Sequence, residues 1–379
     1  MKIGLVIGAY HSRGGLERVA VETARALRDR GHRVVVITQR AQPTPADHDI
    51  EIVRVGGFKT QIAARAATFP IAATRAVGAL ALDVLYAFGS SVLVPAVVRL
   101  PGAHRSWWQL ANEEWPANTV DGLRRRMNPH HRITLALDAA VLGYGVPHEV
   151  LAAGEWAADE IRRYYPRIAD RVSILPDGVN LGEFSYDADA RGAMRDAWNV
   201  GDGPVLLCVA TELRRKGLDT LFDGFKLVRN EIPSATLIVG GRAPAADIRA
   251  LAVARGVADG VRAIGEIESM PAAYSAADAL MFPTRFDPWG LPIVEALACG
   301  TPVAASARAG ASSAIRDGET GSLILDPKEP KQVAHATLAA LYTRASRAQI
   351  RETVAHLDWP KVAEQLEPHL ITAAARANA

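Results

Sequence analysis

Arg285-Phe286-Asp287-Pro288-Trp289-Gly290-Leu291-Pro292-Ile293-Val294-Glu295-Ala296-Leu297-Ala298-Cys299-Gly300 is the stretch from which the rest of this chain is read. Two carboxylates, Asp287 and Glu295, stand eight positions apart, with a Gly-Leu-Pro turn between them. The apolar run Ile293, Val294, Ala296, Leu297 and Ala298 has the pattern of a buried helix. A helix start offers free backbone N–H groups and a positive dipole end, which suits a phosphate. Glycine lets a ligand approach the backbone closely. Glu295 is expected to face the same pocket from inside the helix. The stretch therefore reads as a diphosphate cradle flanked by carboxylates able to accept hydrogen bonds from sugar hydroxyls, an arrangement suited to a nucleotide sugar. The competing reading is a buried helix with an incidental Glu and a solvated loop Asp.

The chain has 379 residues, enough for two domains with a core each. Hydrophobic content of 49% and charged content of 22% are ordinary for a globular protein. A formal net charge of +2 gives no warrant for nucleic-acid binding. The two cysteines, Cys208 and Cys299, lie in apolar segments and read as small buried hydrophobes of a reducing compartment. No Cys/His cluster has zinc spacing. The opening M-K-I-G-L-V-I-G is too short for a signal peptide, and no run reaches the ~20 apolar residues that span a bilayer. The expectation is a cytoplasmic protein, any membrane contact being peripheral and at the inner face.

Working outward, strand and helix patterns alternate twice along the chain. Lys2–Gly8 reads as a strand buried on both faces, Leu16–Arg30 as a helix and Arg33–Thr38 as the next strand. That βαβ unit implies a right-handed parallel crossover. The loop between is not G-x-G-x-x-G and no acid closes the second strand, so a dinucleotide site is poorly supported. Residues 60–80 read as an amphipathic helix, and Asp83–Tyr86, Glu149–Ala153 and Val172–Leu175 as strands. A polar, glycine-containing stretch from Asp177 to Gly192 reads as the interdomain linker. Beyond it, Val205–Ala210, Ala235–Gly241 and Val261–Ile264 read as strands and Asp219–Arg229 as a helix. The expectation is two doubly wound α/β domains, 1–182 and 183–356, followed by a helical tail, 357–379.

Arg215 and Lys216 precede Gly217 at a strand-to-helix turn. Two cations at a helix start oppose the dipole, and a bound anion would offset the conflict. The triplets Asp47-His48-Asp49 and Asp187-Ala188-Asp189 could hold a metal, but they fall in a polar loop and in the linker, where solvent exposure is expected. Fixed cations and backbone N–H groups can replace a metal, so no metal or cofactor is expected. Residues 104–132 place Trp107, Trp108 and Trp115 near Glu113 and Glu114, followed by the basic run L-R-R-R-M-N-P-H-H-R. Tryptophans serve as sugar-stacking platforms and as core. The basic run suits an anionic lipid or acceptor, or a solvated helix face.

The stretch 285–305 resembles the E-x7-E region of the large group of retaining nucleotide-sugar glycosyltransferases with the GT-B fold, glycosyl transferases group 1. Asp287 stands where the family usually has its first Glu, and Phe-Asp-Pro is similar to the lipopolysaccharide core glucosyltransferase branch. V-S-I-L-P-D-G-V-N, from Val172, resembles the family's crossing into its second domain. The resemblance implies two Rossmann-like domains facing a central cleft, with the C-terminal helix returning to the first. It implies retaining transfer of a hexose-type sugar from a UDP-sugar to a glycan, lipid-linked or small-molecule acceptor of the cell envelope. It implies that Gly14 and Gly15 face the donor phosphates and that Lys216 contacts the diphosphate. The family's usual Arg is Thr211 here, so Arg215 or Arg214 substitutes. By the same resemblance, the amides around Gly290, Leu291, Pro292 and Ile293 hold phosphate, Glu295 holds the ribose, Asp287 the donor sugar, and Gly265 and Ile267 the base. His104, Trp107, Glu113 and Glu114 are acceptor-side candidates. Two alternatives remain open on the same fold: a sugar-nucleotide epimerase and a non-catalytic nucleotide-sugar-binding protein.

Overall fold

The computed structural model describes residues 1–58, 61–115 and 118–377. It divides into two compact units, one of Met1–Asp177 together with the segment from Trp359, the other of Gly178–Asp358.

The first unit is built on β1 (Lys2–Val6), β3 (Arg33–Thr38), β5 (Glu51–Arg54), β6 (Val84–Phe88), β7 (Val97–Arg99), β8 (Glu149–Ala152) and β9 (Val172–Ile174), with the short pair β2 (Ala9–Tyr10) and β4 (Arg40–Ala41) beside them. The seven strands lie in the order β5-β3-β1-β6-β7-β8-β9, and every pairing is parallel. Leu5 pairs with Val36 on one side and Tyr86 on the other, and all three are buried. Continuous apolar strands of this kind need helices on both faces. Those available are α1 (Gly15–Asp29), α2 (Ile62–Gly78), α3 (His104–Glu114), α4 (Val120–Met127), α5 (Pro129–Val141) and α6 (Glu155–Tyr164).

In the second unit, β10 (Val205–Val209), β11 (Thr236–Gly240), β12 (Val261–Gly265), β13 (Ala279–Phe282), β14 (Val303–Ser306) and β15 (Gly321–Ile324) form a parallel sheet in the order β12-β11-β10-β13-β14-β15. Its helices are α7 (Ala188–Ala197), α8 (Leu218–Glu231), α9 (Ala245–Ala254), α10 (Met270–Ala276), α11 (Leu291–Ala298), α12 (Pro330–Leu341) and α13 (Arg347–Glu352). The last helix, α14 (Trp359–Ala377), packs against α1 and β6 of the first unit. Arg99, buried at the end of β7, donates to Ala152 O at 3.2 Å and pairs with Asp177, the last residue before the unit boundary. No described helix is long and apolar enough to cross a membrane.

One reading of the sequence, that Asp47 faces solvent, is corrected here. The described part of 104–132 holds α3, α4 and the start of α5. Asn128 ends α4 and its side chain accepts from His130 N at 3.0 Å to start α5, with Pro129 in the first turn. Asp47 does not face solvent. It is buried, its Oδ1 accepting from Arg25 Nε at 2.9 Å and from Tyr10 Oη at 3.1 Å, and it pins the loop behind α1. Asp187 caps α7, accepting from Ala190 N at 2.9 Å, and is exposed.

Candidate functional site

The cationic turn after β10 is held by the loop after β13. Gly217 takes φ +69°, and a Cβ there would meet Pro283 O at 2.3 Å, so only glycine fits this close approach. Arg285 N donates to Arg215 O at 2.8 Å and Thr284 Oγ1 to the same carbonyl at 3.0 Å. The Arg285 side chain reaches both Asp219 carboxylate oxygens at 3.0 Å, tying the start of α8 to the same loop.

These ties bring Lys216 and Asp287 together across 71 positions. Lys216 Nζ donates to Asp287 Oδ2 at 2.5 Å and lies 4.1 Å from the Phe282 ring centroid. Arg215 donates from the same guanidinium nitrogen to Phe286 O at 3.3 Å and to Asp287 Oδ2 at 3.4 Å. Lys216 is 6% exposed and the Asp287 side chain 14%. Burial would raise the Asp287 carboxyl, but Lys216 and Arg215 outweigh it and hold the group below the usual carboxylate range. Burial lowers the Lys216 ammonium, and Asp287 partly restores it. Lys216 Nζ and the Arg215 guanidinium thus meet on one carboxylate oxygen, Asp287 Oδ2.

Gly290, at φ +96°, turns the chain into α11. Pro292 has no N–H, and Ile293 N donates to Gly290 O at 2.9 Å. The cradle's backbone donors therefore reduce to Gly290 and Leu291, a narrower set than the sequence implied. Glu295 is 3% exposed, and its Oε2 accepts from Tyr274 Oη at 2.7 Å. Gly265, at φ +74°, ends β12 and opens on empty space on its Cβ side, whereas the Ile267 side chain packs on Gly240.

The remaining candidates belong to the first unit. Gly14, at φ +106°, starts α1 ahead of Gly15. His104 begins α3 and stacks on Trp107 at 5.3 Å and on His131 at 5.3 Å, with His131 Nδ1 3.2 Å from His104 Nε2. Burial, with His131 and His130, pushes His104 down to about 4, so it is neutral at pH 7. Glu113 is exposed and accepts from Gln109 at 3.4 Å; Glu114 is half-buried.

The sequence reading passed over several neighbours of this cluster. Arg125 lies 4.9 Å from the Trp108 ring centroid. Asp138 is 3% exposed, accepts from Ser90 Oγ at 2.7 Å and from the His104 backbone, and is pushed by burial up to about 6. The run Asn128-Pro129-His130-His131, a helix-start signature, was the available signal for α5. Among the described residues no cluster of three metal-ligating side chains occurs.

The family model described as Glycosyltransferase Family 4 matches residues 13–183, and that described as Glycosyl transferases group 1 matches 203–343. The GDP-mannose-dependent alpha-(1-6)-phosphatidylinositol monomannoside mannosyltransferase of Mycolicibacterium smegmatis is 38% identical over 160 residues, 40% of this chain and 42% of that protein. The corresponding share of the Mycobacterium tuberculosis enzyme is 56%, so the chain spans about half the length of these relatives. The D-inositol 3-phosphate glycosyltransferase of Xylanimonas cellulosilytica is 28% identical over 376 residues, 89% of this chain and 85% of that protein. The crystal structure of WaaG, a glycosyltransferase involved in lipopolysaccharide biosynthesis, superposes with a TM-score of 0.74 at 20% identity, covering 99% of this chain and 98% of that one. That likeness shows the fold.

Proposed function

The chain belongs to the GT-B glycosyltransferases, each of its two halves matching a model of that group, and from that premise we propose that it transfers a hexose from a nucleoside diphosphate sugar to a glycan, lipid-linked or small-molecule acceptor. Transfer retains the anomeric configuration and uses no metal ion. The observation that carries this reading is the convergence of Lys216 and Arg215 on Asp287, three residues before the Gly290 turn.

Asp287 keeps the two cations compensated while no donor is bound. An entering diphosphate supplies a stronger anion, takes over Lys216 and Arg215, and frees Asp287 for the donor sugar's hydroxyls. Cations and backbone dipoles then meet the charge that builds on the leaving phosphate, in a site that excludes much of the water. Glu295 holds the ribose hydroxyls, and the open backbone at Gly265 receives the base.

The family resemblance implies a UDP-type donor, while the name of the 38%-identical relative gives GDP-mannose. Greater identity weighs towards GDP-mannose, with a UDP-hexose as the second reading. On α4, Val120, Leu123 and Met127 are each more than half exposed at helical spacing, beside exposed Arg124 and Arg126. An apolar stripe flanked by arginines suits the surface of an anionic membrane and supports a lipid-linked acceptor.

Calorimetric titration with GDP-mannose and UDP-glucose tests the donor. Nucleoside diphosphate release with and without acceptor, together with a check for donor epimerisation, tests the reaction. Absence of binding to any nucleotide sugar would remove the reading, and donor epimerisation without transfer would replace it.

A further inference from the structure

Glu295 is tied to a neighbour whose own position is fixed on two sides. Tyr274, on α10, has no exposed surface, and its hydroxyl donates to Glu295 Oε2 at 2.7 Å. The Tyr274 carbonyl accepts from Thr301 Oγ1 at 2.7 Å. Thr301 N in turn donates to Ala296 O at 2.9 Å, one residue beyond Glu295. The bonds form a circuit that leaves α11 at Glu295, passes through α10 and returns to α11. The Phe184 ring, 6.2 Å away, flanks the phenol.

A buried phenol beside a buried carboxylate is not needed for packing. Phenylalanine fills nearly the same volume, and taking a charge and a hydroxyl out of water is costly unless they are paired. What the hydroxyl adds is direction. A carboxylate has about four lone-pair positions. A donor held by its own backbone takes one and sets where the others point.

We propose that Tyr274 is a positioning residue that aims the Glu295 carboxylate at the donor's ribose hydroxyls. This rests on the reading of Glu295 as a donor ligand, and the experiment separates the two. Tyr274→Phe, Glu295→Ala and the double variant are titrated with GDP and UDP and assayed for donor KM and kcat, with Tm followed in parallel. Tyr274→Phe should weaken nucleoside diphosphate binding and raise donor KM roughly tenfold, the scale of a hydrogen bond to a charged group, with kcat within about twofold. Glu295→Ala should lose at least as much, and the double variant should bind no more weakly than Glu295→Ala alone.

If Glu295→Ala binds as wild type does, Glu295 is not a donor ligand and the proposal falls with it. If Glu295→Ala weakens binding while Tyr274→Phe changes only Tm, or if the two losses add, Tyr274 is structural and the proposal alone falls. Should Tyr274→Phe fail to fold, 3-fluorotyrosine at 274 keeps ring and hydroxyl while making the phenol more acidic. Its dissociation constant should then differ from wild type, and an unchanged value overturns the proposal.

Discussion

Lys216 Nζ and Asp287 Oδ2 lie 2.5 Å apart, so the lysine assigned to the donor phosphates already holds an anion supplied by the chain itself. Removing one partner of such a pair leaves a charge with little solvent to compensate it. Lys216→Ala should therefore cost about 3 kcal/mol of stability, the low end for a buried pair because Asp287 keeps some exposure. It should also slow transfer by a factor on the order of 10²–10³. Combining Lys216→Met with Asp287→Asn removes both charges and should restore much of the stability without restoring kcat/KM. Recovery of both in thermal melts and assays would make the pair purely structural.

Activity should survive excess EDTA. Lys216, Arg215 and the amides of Gly290 and Leu291 are the groups proposed to meet the leaving phosphate's charge, and none of them needs a metal. A sharp loss that Mg²⁺ or Mn²⁺ reverses would reject the metal-free mechanism.

The α4 surface should bring the protein to anionic vesicles at low salt. Leu123→Asp should weaken sedimentation through the apolar stripe. Arg124→Glu with Arg126→Glu should weaken it through charge, and only that second contribution should fade as salt rises. Equal sedimentation of all three proteins with anionic vesicles would leave α4 a solvated face.

Asp138 gives a pH signature to the first unit. Its folded carboxyl is raised from 3.8 to about 6, chiefly by burial. A raised carboxyl favours the folded state fully below the unfolded value, and that contribution is lost as pH rises through about 6. Relative to wild type, Asp138→Asn should thus gain stability between pH 4 and pH 7, by up to about 3 kcal/mol for a shift of some two pH units. The difference between the two proteins must be measured, since His104, His130 and His131 are all lowered and titrate with the opposite sign. A pH-independent difference would mean that Asp138 does not titrate in this range.

The parts of the site legible in the sequence are those whose chemistry lies in short spacing. Asp287, the Gly290 turn and Glu295 fall within nine residues, and Arg215-Lys216-Gly217 are consecutive. What joins them was not legible, because Lys216 meets Asp287 over 71 positions and Glu295 meets Tyr274 over 21. Asp47 was misread for the same reason, its partners Tyr10 and Arg25 lying 37 and 22 residues away. Of the amides placed around Gly290–Ile293, Pro292 lacks its N–H by residue type, whereas the bond from Ile293 N to Gly290 O is a detail of backbone angle that residue types do not encode. The alternation was plain where strands are covered on both faces and mostly apolar, as at β1, β3 and β10, whereas β5, with its charged ends exposed, and the three-residue β7 were not read. The helices between 104 and 141 were harder to read, as α4 is only eight residues long and one asparagine serves two caps.

The first-formed product should keep the donor's anomeric configuration. Inversion wants a general base opposite the leaving group, with a pKa near the working pH. The carboxylates of the donor cradle have other proposed roles: Asp287, freed from Lys216 and Arg215 by the diphosphate, turns to the donor sugar's hydroxyls, and Glu295, held by Tyr274, to the ribose. His104, held at about 4, is too weak a base to serve. The cations instead favour departure of the nucleoside diphosphate, so that the bond from the anomeric carbon to phosphate oxygen breaks with charge building on that oxygen. The same oxygen can take the proton of the acceptor hydroxyl as the new glycosidic bond forms on the face just vacated. Proton NMR of the product at early times, with an α-linked GDP-mannose or UDP-glucose donor, should show an α linkage. A β linkage would reject the retaining mechanism and send the search for a base to Glu113 and Glu114.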